Sequence, residues 1–392
     1  MRLRKVKKLS KIKNISSEEE MSEVPVFPPT DMKWHANATK RFASPFVGVY
    51  HDRIDVDPIV LAHAATLFGY TIKDFYTKPE LAMRLVAYVN ELYDLLPVTH
   101  WFFSNVWLDA LGAKLEVTET LPWIVKEPRP IQKPEDVDKL HVPDVDEISK
   151  SMTAQLFMRG YDYVKKEIPH MFVPISFGFC LFSMAAELVG PERFIVWTRR
   201  QRQLCHKLLE KVTQASINGA IAIANRYGFA MLVLGSVLAN STVLAPKDVK
   251  ELSMDYHMKF IKEAFKGGAG PQLWYHLCGD HSKDWPVWKD LIISPFTVLH
   301  IGYHGEEPFP GDLLKKEFGH KLTIMVSVDT KIMIEPNFNK VYEQAKTQLL
   351  KARDSPRGCI LGTACETPVP TNPGNILAMV KAARDFGTYG TW

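Results

Sequence analysis

"QLWYHLCGDHSKDWPVWKDLIISPFTVLHIGYHGEEPFPGDLLKKEFGHKLTIMVSVD", Gln272 to Asp329, holds three short apolar runs set apart by polar segments. "QLWYHLCG", "FTVLHIGY" and "LTIMVSVD" have the length and the β-branched and aromatic content of buried strands, while "FPGDLLKKEF" repeats its apolar residues at helical spacing. The alternation continues outward. "HMFVPISFG" and "AMLVLGS" upstream and "RGCILGTA" downstream read as further strands. "PKDVKELSMDYHMKFIKEAF", "PNFNKVYEQAKTQLLKA" and "NPGNILAMVKAARDF" read as amphipathic helices between or after them. Strands that take turns with helices lie parallel, joined by crossovers. Six such strands with one or two earlier ones predict an α/β fold, a closed (β/α)8 TIM barrel with a helical N-terminal extension. The competing open, doubly wound sheet usually carries a nucleotide site, and neither a G-x-G-x-x-G opening a helix nor a P-loop is present.

Three regions follow. Residues 1–21 form a basic tail expected to be disordered, residues 22–149 a helical and irregular extension packed on the barrel, and residues 150–392 the barrel body. In the extension, "DPIVLAHAATLFG" and "KPELAMRLVAYVNELYDLL" carry helical periodicity, with Asp57 and Thr77 as N-caps ahead of Pro58 and Pro79. "VTHWFFSNVW" reads as an aromatic strand or loop, and the proline-rich run from Leu121 to Val145 as an extended crossover.

Composition excludes several classes. Of 392 residues 46% are hydrophobic and 23% charged, as in ordinary globular proteins. The formal net charge of +4 sits entirely in the first twenty residues, so the body is neutral and lacks the basic stripe of a nucleic-acid groove. "AMLVLGSVLA", Ala230 to Ala239, is about half a membrane span, and no apolar core follows the basic tail as a secretory signal requires. Five cysteines are too few and too scattered for a disulfide framework, which fits a reducing cytoplasm. Nothing in the sequence decides between a monomer and a homodimer.

The cysteines acquire meaning once placed on the barrel, where chemistry sits at the C-terminal ends of the strands. His276 and Cys278, at positions i and i+2 at the end of a strand, face the same side and can grip one metal ion. The plain alternative is a buried core cysteine beside a chance histidine. In "CILGTACE", Cys359 opens a strand and Cys365 ends it, about 20 Å apart if extended, so Cys365 alone reaches the rim shared by His276 and Cys278. Glu306 and Asp329 also lie at strand ends, as candidates for orienting substrate or relaying a proton; a solvated carboxylate and a helix cap are their ordinary readings. His300 and His304 share a strand face but stand roughly 13 Å apart, too far to share an ion. Cys180 and Cys205 read as core or helix residues, and "RRQRQ", Arg199 to Gln203, as an exposed helix face. Aromatics in "WFFSNVW", "FGFCLF" and the Trp274–Tyr275 pair could line a pocket for a flat substrate, or belong to the core.

"WYHLCGD" followed downstream by "GCILGTACETPVPTNPGNILAMVKAAR" resembles the uroporphyrinogen decarboxylase superfamily, in its zinc-dependent, corrinoid-linked methyltransferase branch. "GYTIKDFYTKPELAMRL", Gly69 to Leu85, and "SVDT", Ser327 to Thr330, also look like segments of that family. The resemblance spans roughly residues 45 to 390. It implies that His276, Cys278 and Cys365 ligate Zn2+ with a fourth position open, as in a catalytic site. It further implies a partner corrinoid-binding protein whose cobalamin exchanges a methyl group with a small-molecule donor or acceptor. The preferred expectation is O-demethylation of a methoxylated aromatic compound; the alternatives are methylation of a thiol such as coenzyme M and a uroporphyrinogen decarboxylase-like lyase. An R-Q-A-G-R-like segment, which the decarboxylases use to hold propionates, is missing from the N-terminal region.

Overall fold

The computed structural model of the protein describes residues 27–172 and 177–390, and of 177–179 the backbone only. The basic tail expected over 1–21 and residues 173–176 of "HMFVPISFG" lie outside the described residues. Ten strands are present among the described residues: β1 (Asp55–Asp57), β2 (Leu115–Glu116), β3 (Ile124–Val125), β4 (Phe177–Phe179), β5 (Leu232–Gly235), β6 (Leu273–Asp280), β7 (Thr297–His304), β8 (Glu307–Pro308), β9 (Thr323–Val328) and β10 (Cys359–Thr363).

One sheet runs in the order β1-β10-β9-β7-β6-β5-β4, every neighbour parallel, with β8 folded back antiparallel on the end of β7. A parallel bridge from Val98 to Phe172 brings a further segment to the β4 side. From this segment His100 donates through Nε2 to Asp57 Oδ2 of β1 at 2.9 Å, tying the two ends of the sheet together. The architecture is the (β/α)8 barrel the alternation predicts, with β1 and the bridging segment at Val98 supplied from the stretch before residue 150. β2 and β3 form a separate antiparallel ribbon.

The strands form here because they are apolar on both faces, as a parallel sheet sandwiched between a barrel interior and a helical coat requires. Every residue of β5, β9 and β10 is buried. Helices at 202–227, 255–266, 338–352 and 373–386 supply the coat, each burying one stripe. Two expected caps differ. Asp57 ends β1, and its other carboxylate oxygen accepts from Ile59 N at 3.0 Å, so the helix starts only at Ala62. Pro79 does open the helix Pro79–Tyr93, but Lys78 is its N-cap, while Thr77 closes the preceding helix Ile72–Thr77. Among the described residues no helix is long and apolar enough to cross a membrane.

Candidate metal centre

β6 carries two of the three candidate ligands, and it is not regular. The β6–β7 register slips between Leu277 and Asp280, and Gly279 sits in the left-handed region at φ +91°. That conformation favours glycine, and a Cβ there would stand 2.7 Å from Asn240 Nδ2, which would have to shift. The resulting bulge sets the end of β6, and with it Cys278, towards the end of β10. Opposite, Gly302 on β7 allows that approach: a Cβ on it would lie 2.6 Å from the Ala364 carbonyl oxygen.

The backbone on either side is pinned. Ala364 N donates to Val328 O at 2.8 Å, Thr367 N to Ile59 O at 3.2 Å, and the Thr363 hydroxyl is within 2.7 Å of the carbonyls of Pro58 and Cys365. On the β6 side, His281 Nε2 lies 3.1 Å from Cys278 O and 3.0 Å from Ser236 Oγ, while His281 Nδ1 meets Asp284 Oδ2 at 2.7 Å. His281 and Asp284 are both fully buried.

Between these anchors His276, Cys278 and Cys365 converge, with one ligand atom from each lying within 4.8 Å of the others. Cys278 Sγ and Cys365 Sγ are 3.2 Å apart, and Cys365 Sγ is 3.7 Å from His276 Nε2. Sulfurs bound to one tetrahedral zinc would sit about 3.7 Å apart, so a small opening of the sulfur pair seats the ion. The donor set is soft and half-buried, and its three members leave one tetrahedral position for a substrate. The sulfur of Cys278, and then burial, push the Cys365 thiol well above its ordinary range. Without a cation the two sulfurs resist ionising together; a divalent ion removes that opposition.

His300 stands behind His276. Its Nδ1 is 2.7 Å from His276 Nδ1, and its Nε2 is 2.7 Å from Ser327 Oγ. One proton serves each contact. If His276 Nε2 offers its lone pair to a metal, then His276 Nδ1 donates to His300 Nδ1 and His300 Nε2 donates to Ser327. Burial, reinforced by His276, holds the His300 imidazole well below its usual pKa and so neutral, the form this chain needs. The sheet register sets His276 opposite His300, a pairing that sequence spacing does not reveal.

The other candidates are not members of this three-residue group. Glu306 is exposed and ion-paired with Lys331 at 2.8 Å. Asp329 caps the short helix Thr330–Met333 through Lys331 N and accepts from the Tyr303 hydroxyl at 2.9 Å. Cys180 and Cys205 are buried, and burial pushes each thiol up to about 12. Of the aromatics, Trp101 is fully buried and donates to Phe75 O, and Tyr275 is buried and donates to Ile292 O. Trp274 is also buried, with its ring tilted against His100 and edge-on to His276 at ring-centre distances of 5.2 and 5.9 Å, and half-buried Phe102 packs edge-on to it.

Residues 40–386 match the sequence model of the uroporphyrinogen decarboxylase (URO-D) family. Among solved structures, a methyltransferase from Methanosarcina mazei shares the fold, with a TM-score of 0.72 at 18% identity over 89% of this chain and 99% of that one. A comparison with curated proteins finds no significant match.

Proposed function

The chain belongs to the uroporphyrinogen decarboxylase family, and on that premise we propose that it is a zinc-dependent methyltransferase moving a methyl group between a small substrate and the cobalt of a corrinoid protein. The observation that carries this reading is the convergence of His276, Cys278 and Cys365 at the C-terminal rim of the barrel. A site that only stabilised the fold would close its shell with a fourth protein ligand, and here three donors face the barrel mouth. That the Methanosarcina mazei protein of the same fold is a methyltransferase supports the assignment.

In this reading His276, Cys278 and Cys365 hold the ion, and His300 with Ser327 fixes the tautomer and tilt of His276. His281, locked by Asp284, holds the Cys278 carbonyl and so the position of its sulfur. Two thiolates largely offset the charge of a divalent ion, leaving it selective for soft or weakly basic groups. Zinc bound there supplies Lewis acidity to an ether oxygen, or keeps a thiol ionised. The preferred methyl donor is a methoxylated aromatic, with Trp274 and Phe102 offering aromatic surface beside His276. Free thiols at the centre suit a reducing cytoplasm.

The test is anaerobic absorption spectroscopy of a reduced corrinoid protein mixed with this protein and a panel of methoxyarenes. Conversion of Co(I) to methyl-Co(III) by the wild type, and its loss in Cys278→Ala, is the expected result. Full turnover in that variant overturns the assignment, and consumption of methyl-Co(III) on adding coenzyme M reverses the direction of transfer.

A further inference from the structure

The interior of a (β/α)8 barrel is ordinarily filled by layers of side chains rather than left open. Here the lower half is hollow. A cavity of about 570 Å³ opens at the N-terminal ends of the strands, between Met231, Gln272 and Phe296, and is covered in part by Phe42 and Phe46 of the helix Met32–Val47. It rises inside the barrel to Asp57, His100 and Trp274, and none of the three candidate metal ligands lines it. Its walls are otherwise apolar except for Tyr161, Lys165 and Gln272. A space of this size forfeits contacts that a well-packed core would make, which is unusual unless something occupies it.

A second observation is independent of the volume. Three side chains lining this cavity each carry a buried polar atom with no partner among the described residues: Trp274 Nε1, His100 Nδ1 and Gln272 Oε1. Trp274 and His100 are only 3% and 4% exposed, and such groups are almost always paired. Their chemistry is complementary. Indole Nε1 is a donor only, and His100, whose Nε2 donates to Asp57, leaves Nδ1 as an acceptor in the neutral ring. A hydroxyl is the small group that accepts from one and donates to the other. By strand position, Trp274 and His100 lie two residues deeper than Gln272 and Val98, so the polar pair stands at the inner end and the apolar wall leads to it.

We propose that the lower barrel is a second ligand site, separate from the metal centre, for an apolar molecule that enters from the N-terminal face with a hydroxyl at its leading end. An alkylphenol or a medium-chain alcohol has this chemistry. Trp274 then touches both ligands, since two residues further along β6 its neighbour His276 belongs to the metal centre. The site requires neither metal nor corrinoid to bind.

Isothermal titration with 4-propylphenol and, as its hydroxyl-free counterpart, propylbenzene tests this. Titrations are run on the protein as purified and after chelator treatment. The expected result is saturable binding of one molecule per chain, with the phenol at least tenfold tighter and metal removal without effect. Trp274→Phe, which keeps the ring surface but removes the donor, should erase most of the tenfold difference. Ala43→Trp, which fills the space from the helix at the cavity mouth, should weaken both probes at least tenfold, and circular dichroism checks that each variant is folded. Absence of saturable binding to the wild type overturns the proposal, as does equal affinity for the two probes or unchanged binding in Ala43→Trp. Binding lost on chelation places the probe at the metal centre and overturns it as well, whatever the methyl-transfer assay shows.

Discussion

The two halves of the barrel interior are built on opposite principles. At the C-terminal rim nearly every polar atom is committed: His276 to His300, His300 to Ser327, Cys278 O to His281 and His281 to Asp284. At the N-terminal end a largely apolar space stands open, with three polar atoms uncommitted among the described residues. The same strands serve both halves; β6 carries Trp274 below and His276 and Cys278 above. Precision at the rim is achieved by backbone devices, the Gly279 bulge and the bare Gly302, whereas the lower half tolerates loose filling. Chemistry needs donor atoms held to fractions of an ångström, while an apolar ligand needs only volume and one orienting group.

Substitutions should therefore behave differently in the two halves. The largest effect is expected from Cys278→Ser, which removes a soft donor: bound zinc, measured by atomic absorption, should fall from about one per chain to near zero. Retention of full zinc would break the contrast at its stronger end. Next is His300→Phe, which leaves all three ligands in place yet removes the acceptor for His276 Nδ1. Zinc affinity in chelator competition should drop about 10–100-fold, with Ser327→Ala showing a smaller drop in the same direction. Gly302→Ala should cost about 1–3 kcal/mol in denaturant unfolding, because its methyl meets the Ala364 carbonyl at 2.6 Å, and should weaken zinc binding through the displaced Cys365. The smallest effect carries the opposite sign: Val298→Leu, adding a methylene to the lower cavity wall, should stabilise by about 0.5–1 kcal/mol. A loss there would mean that the lower half is as tightly fitted as the rim.

Much of this was legible in the sequence because it rests on local pattern. Apolar runs such as "LTIMVSVD" lie almost wholly within the barrel strands, and the position of Cys365 at the end of one run and of His276 and Cys278 at the end of another sufficed to bring the three together. What escaped has long-range causes. β1 is only "DVD", whose two aspartates resemble a turn or cap, and Asp57 is held by His100 across 43 residues. His300 becomes meaningful only through the β6–β7 register, which no spacing encodes. Aromatics divide the same way. Trp101, Tyr275 and Trp274 look alike as pocket candidates, and only the fold assigns the first two to the core and the third to the barrel interior. The hollow below is invisible to a reading of residue types, since it is made of space.

The proposed activity depends on three side chains acting as one metal site. Zinc K-edge absorption spectroscopy of the purified protein tests this most directly. It should report about one zinc per chain with two sulfur scatterers near 2.3 Å, one imidazole and one further light-atom ligand. No bound zinc, or a closed shell of four protein ligands, would contradict it.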